Sequence, residues 1–483
     1  MSDCCTGNDS CETKSYNKTP DLLVIGAGSA GFSAAITAAE AGADVLLTGE
    51  GTIGGTCTNI GCIPSKTLIR AVETIHQAKS ARRFDGIKGT ADIVNWKALI
   101  DQKQQLVESL RKAKYIDVLP YYPKIDYVEG KAVFTGHGIE VDINGQKYHP
   151  KKIIIATGSN SVLPPINGIH SVPVLDSTKA LELQILPESI LVIGGGYIGS
   201  ELGQMFARAG ARVTICFRSR LLPEAEPEIS EALAEYFKAE GITVVQAIRY
   251  KNIEKTRKGI RLVYESRNGL QSIEAEQILA ATGRKANSEG MGLEKAGVRL
   301  LKSDGIEVNK YMQTTHPDIY AVGDVTGNDM FVYMAAYGGK LAARNALEGN
   351  RLEYDAAAMP SVTFTDPQVA IVGLTEAEAK SRGHDVKTSL LTLDNVSRFI
   401  AARDTRGLIK LVADKRTDKI LGTHILAPEG GDSIQTMVMA IKAGLTTEDL
   451  ANTIFPYLTA VEGLKLAAQT FKKDVSKLSC CAG

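Results

Sequence analysis

The feature that most constrains the fold is a pattern that occurs twice. Leu22-Leu23-Val24-Ile25 runs into Gly26-Ala27-Gly28-Ser29-Ala30-Gly31, an Ala-rich stretch to Ala41, and a second apolar run at Asp44–Leu47. Leu191-Val192-Ile193 runs into Gly194-Gly195-Gly196-Tyr197-Ile198-Gly199, a helical stretch to Ala209, and a second apolar run at Arg212–Phe217. Strand, glycine turn, helix and strand within about thirty residues is the setting in which GxGxxG marks a dinucleotide-binding turn. The first glycine permits the turn, the second admits a pyrophosphate, and the third lets helix pack on strand. Each copy closes on Ala-Thr-Gly, at Ala156-Thr157-Gly158 and Ala281-Thr282-Gly283. The expected class is therefore α/β, with two Rossmann-like domains.

The two copies differ where a nucleotide ribose is read. An acid is usual after the second strand. In the first copy Gly49 stands in that slot and Glu50 follows, which makes Glu50 the candidate for the ribose hydroxyls. In the second copy Arg218-Ser219-Arg220 takes the place of the acid. Guanidinium groups suit a ribose 2′-phosphate, so the second site favours NADPH.

Between the copies lies Gly54-Gly55-Thr56-Cys57-Thr58-Asn59-Ile60-Gly61-Cys62-Ile63-Pro64-Ser65-Lys66. Two cysteines five apart exceed one helical turn, so they can meet only across a distorted first turn. Helix N-terminal dipoles and the Lys66 ammonium would favour thiolate. Zinc fits poorly, because its ligands come closer together and in two pairs. The pair reads as a redox dithiol.

The other six cysteines are Cys4, Cys5, Cys11, Cys216, Cys480 and Cys481. Pairs bunched at both ends do not resemble a secreted disulfide framework. Cys216 closes an apolar strand and reads as a small buried hydrophobe. The chain has 55 basic and 55 acidic residues, which disfavours nucleic acid as a partner. The apolar region 22–47 carries Gly, Glu40 and Asp44 and reads as a βαβ unit rather than a membrane span. With no signal-peptide pattern at the start, the expected compartment is the cytoplasm.

The expected organisation is a flexible Cys-containing tail at 1–19, one nucleotide domain at 20–158 and 284–355, and a second at 159–283. A C-terminal α+β interface domain at 356–483 follows and ends in the Cys480-Cys481 pair. Helical periodicity covers 65–83 and 93–115. The apolar run Ile319–Val325 ends in Gly323-Asp324, where a carboxylate can hold a sugar-like hydroxyl, and 331–346 reads as a helix.

Two dinucleotide units, the CxxxxC dithiol, the paired Ala-Thr-Gly turns and the Gly-Asp strand together resemble the FAD-dependent pyridine nucleotide–disulfide oxidoreductases, across the chain from residue 20. The resemblance implies FAD at the first site, on Gly26, Gly28, Ser29, Ala30, Gly31, Glu50, Gly55, Thr56, Lys66, Thr157, Gly158 and Asp324, the last on the ribitol. It implies NADPH at the second, on Gly194, Gly196, Tyr197, Ile198, Gly199, Arg218, Arg220 and Gly283. Cys57 and Cys62 would form the redox-active disulfide, Lys66 and Glu201 an ion pair by the flavin, and Tyr197 a gate on the nicotinamide pocket. Members are homodimers whose C-terminal domain completes the partner's active site.

Disulfide reductases of that family place a His before a Glu five residues on, as an acid–base pair. Here Glu462 is present, but Tyr457 holds the histidine's position, and no histidine follows His424. A phenol is a poor proton shuttle at neutral pH. Tyr457 together with Cys480-Cys481 is similar instead to the Hg(II)-reducing branch of the family. Thiolates suit a soft cation, so Cys57, Cys62, Cys480 and Cys481 are the expected metal ligands and Hg(II)–thiol complexes the expected substrate. Many members of that branch carry an N-terminal GMTCxxC domain, and this chain has no such motif. A thioredoxin-type reductase using the terminal Cys pair, and a non-catalytic metal–thiol buffer, are the competing readings.

Overall fold

The computed structural model describes Tyr16, residues 18–136 and residues 138–475. These form two compact units. Of the described residues, the first takes in those up to Gly55, Lys112–Ser159 and Ala286–Tyr354; the second takes in Thr56–Arg111, Asn160–Lys285 and those from Asp355 onward.

In the first unit, five parallel strands lie in the order Ile319–Ala321, Lys152–Ile155, Leu22–Ile25, Val45–Gly49, Ile125–Glu129. Leu22 pairs with both Val45 and Lys152, so the glycine turn leaves the sheet from its central strand. That strand is buried along its whole length, which is why it reads as an unbroken apolar run. The helix Ser29–Glu40 presents Ala30, Ala34, Ala35 and Ala38 to the core. Small side chains let it approach the helix Val332–Glu348 so closely that a Cβ on Gly339 would stand 2.3 Å from the Ala30 carbonyl. A small antiparallel meander, Ala132–Phe134, Val141–Ile143 and Gln146–Tyr148, completes the unit.

In the second unit, four parallel strands lie in the order Thr243–Val245, Arg212–Cys216, Ser189–Ile193, Gln277–Ala280. An antiparallel sheet of Arg249–Lys255, Ile260–Ser266 and Gly269–Ala275 accompanies them. The C-terminal part is a five-stranded antiparallel sheet, ordered Pro360–Thr363, Gln368–Gly373, Ile420–Ala427, Leu408–Asp414, Val386–Thr392, with helices that include Gly430–Ala443 and Glu462–Gln469. The duplicated α/β units and the α+β region are as expected. The periodicity of 93–115 resolves into the helix Trp96–Arg111 and a wider π-type turn at Lys112–Ile116. Cys216 is fully buried, and burial pushes its thiol up to about 12. Among the described residues no helix is long and apolar enough to cross a membrane.

Candidate active site

At the first turn Gly26 has φ +123°, and a Cβ there would lie 2.1 Å from the Ala156 carbonyl. A Cβ on Gly31 would lie 1.7 Å from the Gly26 carbonyl. These two glycines serve the packing of helix on strand. Gly28 is different: it opens the helix in extended conformation with no side-chain cap, and a Cβ on it would meet nothing nearer than 3.4 Å. The second turn repeats this, because a Cβ on Gly199 would stand 2.1 Å from the Gly194 carbonyl, whereas one on Gly196 would meet nothing within 4 Å. Protein packing does not require glycine at 28 or 196. A phosphate drawn to an uncapped helix N-terminus does, so both turns fit a dinucleotide.

The other residues expected at the first site have partners within the protein. Thr157 Oγ1 donates to Asn287 O, and Ser159 Oγ donates to an Asp324 carboxylate oxygen at 2.6 Å. Glu50 is exposed just past the end of Val45–Gly49. Beside it a 440 Å³ cavity is lined by Thr52, Ile53, Ile116, Leu119, Tyr127 and Glu129. The sequence reading missed this cavity, which is assembled from three separate segments.

The dithiol segment forms two short steps rather than one helix. Cys57 sits in the helix Gly55–Asn59, the chain breaks at Ile60-Gly61, and Cys62 is the first residue of the helix Cys62–Ser80. Gly61 has an irregular backbone conformation at this break. The break brings the Cα atoms of Cys57 and Cys62 to 4.6 Å, and a disulfide joins them. The expected distorted turn is thus a break between two helices.

One turn beyond Cys62, Lys66 Nζ donates to Glu201 Oε2 at 2.6 Å, bringing together two residues 135 apart in sequence. Glu201 is buried, and its other oxygen accepts the Phe364 N–H at 2.9 Å. The Lys66 ammonium also lies 4.8 Å from the centre of the Phe364 ring. Further along the same helix, Gln204 holds both the N–H and the carbonyl of Asp366. Arg208 then pairs with Glu240 and Asp366. Tyr197, at the head of this helix, hydrogen-bonds Ser361, and burial followed by the charge of Glu224 raises its phenol above the ordinary range. Tyr197, Glu201, Gln204 and Arg208 therefore form one polar stripe that grips Ser361–Asp366. Sequence reasoning found Tyr197 and Glu201 but not Gln204, Arg208 or Phe364, because a polar stripe reads as a solvated face.

Elsewhere the expected residues are less gathered. Arg218 is exposed, whereas the Arg220 guanidinium donates to the carbonyls of Pro223 and Ala225. Tyr457 is 54% exposed, close to Ile454 at 94% and Leu458 at 45%. Glu462 opens the helix Glu462–Gln469 and is buried, with Oε2 lacking a hydrogen-bond partner among the described residues. Cys4, Cys5, Cys11, Cys480 and Cys481 lie outside the described residues. Among those described, no three His, Cys, Asp or Glu side chains form a metal-binding group.

Comparison with known proteins agrees with this geometry. The model of the pyridine nucleotide-disulphide oxidoreductases matches residues 20–339, and that of their dimerisation domain matches residues 359–468. The chain belongs to this family. Mercuric reductase from Lysinibacillus sphaericus is 48% identical, over 96% of this chain and 84% of its own length. Mercuric reductase from Streptomyces lividans is 46% identical, over 96% and 98%. Among solved structures, the HOCl-induced flavoprotein disulfide reductase RclA from Escherichia coli matches with a TM-score of 0.83 and 30% identity, over 94% of this chain and all of that one. As a family member the chain is an FAD-dependent oxidoreductase with a dithiol centre, and its two nucleotide turns fit FAD and a pyridine nucleotide.

Proposed function

We propose that this chain is an NADPH-dependent reductase of Hg(II) that acts as a homodimer. In this reading residues 20–158 and 284–355 carry FAD, 159–283 carry NADPH, and 356–483 form the subunit interface. The observation that carries it is a dithiol without a proton shuttle. Tyr457 stands where disulfide reductases have histidine, and one buried oxygen of the Glu462 carboxylate lacks a hydrogen-bond partner among the described residues. Reducing a disulfide needs protons for the leaving thiols, whereas reducing a thiolate-bound soft cation needs none. The likeness to mercuric reductases supports the same reading.

Bound FAD, refilled from NADPH, is the source of an electron pair. The chain's own residues prepare its acceptor. The reduced Cys57 and Cys62 hold Hg(II) as thiolates, favoured by the helix N-terminus at Cys62 and by the nearby Lys66 ammonium. Glu201 fixes that ammonium in place. Tyr197 and Tyr457 shape the approaches of nicotinamide and metal rather than move protons. On taking two electrons the metal loses its affinity for thiolate and leaves as Hg(0), with both sulfurs remaining on the enzyme. Cys480 and Cys481 take Hg(II) from a small-thiol complex and pass it inward.

Anaerobic NADPH oxidation with HgCl2 in excess thiol, compared with oxidised glutathione and with thioredoxin, tests the assignment. Hg(0) release is the expected result, and faster turnover of either disulfide substrate would overturn it. The double variant Cys480→Ala/Cys481→Ala should slow reaction with thiol-bound Hg(II) and leave the flavin spectrum normal. Unchanged volatilisation in that variant would remove the delivery role of the tail.

A further inference from the structure

Arg218 and Arg220, separated only by Ser219, are not equivalent in the structure. We infer that Arg218 alone selects the 2′-phosphate, and that Arg220 is a positioning residue bracing the loop that presents it. The inference rests on the NADPH reading above.

The loop runs from the end of the strand Arg212–Cys216 to the helix Pro227–Ala239. Its near part is tied to the nucleotide turn, because the Leu222 N–H donates to Gly195 O at 2.7 Å. Leu222 itself has φ +44°, a conformation that needs support from outside the residue. Arg220 supplies that support: one guanidinium nitrogen donates to both Pro223 O and Ala225 O, each at 2.6 Å. Its Nε is buried and lacks a hydrogen-bond partner among the described residues, so the side chain is folded into its own loop rather than extended into solvent.

The far end of the loop is anchored in a buried ionic cluster. Glu226 is 2% exposed; its carboxylate binds Lys410 Nζ at 3.1 Å and accepts the Glu376 N–H, and its N–H donates to His424 Nδ1 at 3.3 Å. Lys410, 4% exposed, also reaches Glu228 and Glu376. For Arg220 to reach a phosphate it would have to abandon two carbonyls in a loop held at both ends. Arg218 lies before the braced turn, is exposed, and makes no hydrogen bond or ion pair among the described residues. It is the cation free to meet a ligand.

Flavin-loaded protein should be titrated calorimetrically with 2′,5′-ADP and with 5′-AMP, and amide exchange followed over 219–226. The wild type should prefer 2′,5′-ADP by about tenfold or more, and Arg218→Met should bring the two affinities within about threefold. Arg220→Met should weaken both ligands alike, keep the preference within about threefold of wild type, and speed exchange in the loop. Should that variant fold poorly, Arg220→Gln, which is uncharged but retains amide donors, should keep the preference. If either Arg220 variant erases the preference as Arg218→Met does, with loop exchange unchanged, Arg220 is a phosphate ligand and the inference is wrong. A wild type that does not distinguish the two ligands would overturn the NADPH reading itself, and the assignment of Arg218 with it.

Discussion

Gly196 and Gly199 lie three residues apart in one turn, yet substitution to alanine should act on them in opposite ways. At Gly199 the new methyl would stand 2.1 Å from the Gly194 carbonyl carbon's oxygen, and real Cβ contacts below 3.0 Å are essentially never seen. The obstacle is backbone, so the helix Tyr197–Ala209 must retreat by about 1 Å, at the 1–3 kcal/mol typical of overpacking. At Gly196 the methyl meets nothing within 4 Å, and φ −82°, ψ −170° is open to any residue. Gly196→Ala should therefore fold about as well as the wild type, within about 0.5 kcal/mol, because alanine's restriction of the unfolded chain offsets its poorer fit at a helix N-cap. In the dinucleotide reading the same methyl would stand in the approach of the pyrophosphate, so affinity for NADP+, which carries one, should fall by at least about tenfold, or 1.4 kcal/mol. Urea unfolding followed by the fluorescence of Trp96, the chain's one tryptophan and buried in the same unit, reads stability. Titration calorimetry reads binding. A Gly196→Ala protein that binds normally, or that loses as much stability as Gly199→Ala, would refute the division between packing glycines and ligand glycines.

Glu201→Gln keeps an acceptor for the Phe364 N–H but loses the charge facing Lys66. With the Lys66 side chain 31% exposed and solvent screening part of the pair, the expected loss is about 1–2 kcal/mol, measured by the same urea unfolding. His424 is fully buried, and burial lowers its pKa to about 4. The folded state therefore binds fewer protons than the unfolded one below the ordinary histidine range, and stability should fall as pH drops from about 6.5 toward 4, by up to about 1.4 kcal/mol per unit. A variant lacking this imidazole, His424→Gln, should show a shallower acid slope, and an identical slope would count against the argument. Mixing Cys62→Ser with Tyr457→Ala subunits tests sharing of the site: each heterodimer should regain one intact site, about half of wild-type activity, whereas a site built within one chain would regain none.

The parts of the fold that follow from local pattern were legible in the sequence. Leu22–Ile25 and Ile190–Ile193 are apolar runs because both faces of a central parallel strand are covered, and the glycine turns leave little choice of connection. The dithiol was legible for a similar reason, since glycines and cysteines at that spacing admit few geometries. What the residues alone did not disclose depends on distant partners. Lys66 and Glu201 meet across 135 residues, and only family resemblance paired them beforehand. Val386–Thr392 alternates exposed and buried side chains at the edge of its sheet, too weak a pattern to stand out beside the buried strands. Arg218 and Arg220 look alike on paper, because nothing in Arg-Ser-Arg tells which guanidinium turns back on its own loop.

The helix Tyr197–Ala209 makes the function and the hidden polar stripe parts of one argument. Its uncapped first turn, opened by Gly196, fits a dinucleotide phosphate, and Glu201, four residues after Tyr197, lies only about 6 Å further along the axis. Through Glu201 the same helix holds Lys66, which stands one turn beyond Cys62 on the helix that bears the disulfide. One rigid element thus carries both the second glycine turn and the carboxylate that holds the dithiol lysine. That carboxylate is buried, and a buried carboxylate needs every lone pair answered. The Phe364 N–H answers the oxygen that Lys66 does not, and Gln204 and Arg208 continue along the same face to hold the segment that supplies it. The polarity of the stripe, which resembles a solvated surface in the sequence, is what allows the Lys66–Glu201 ion pair to be held, buried on one side, beside the helix that bears the disulfide.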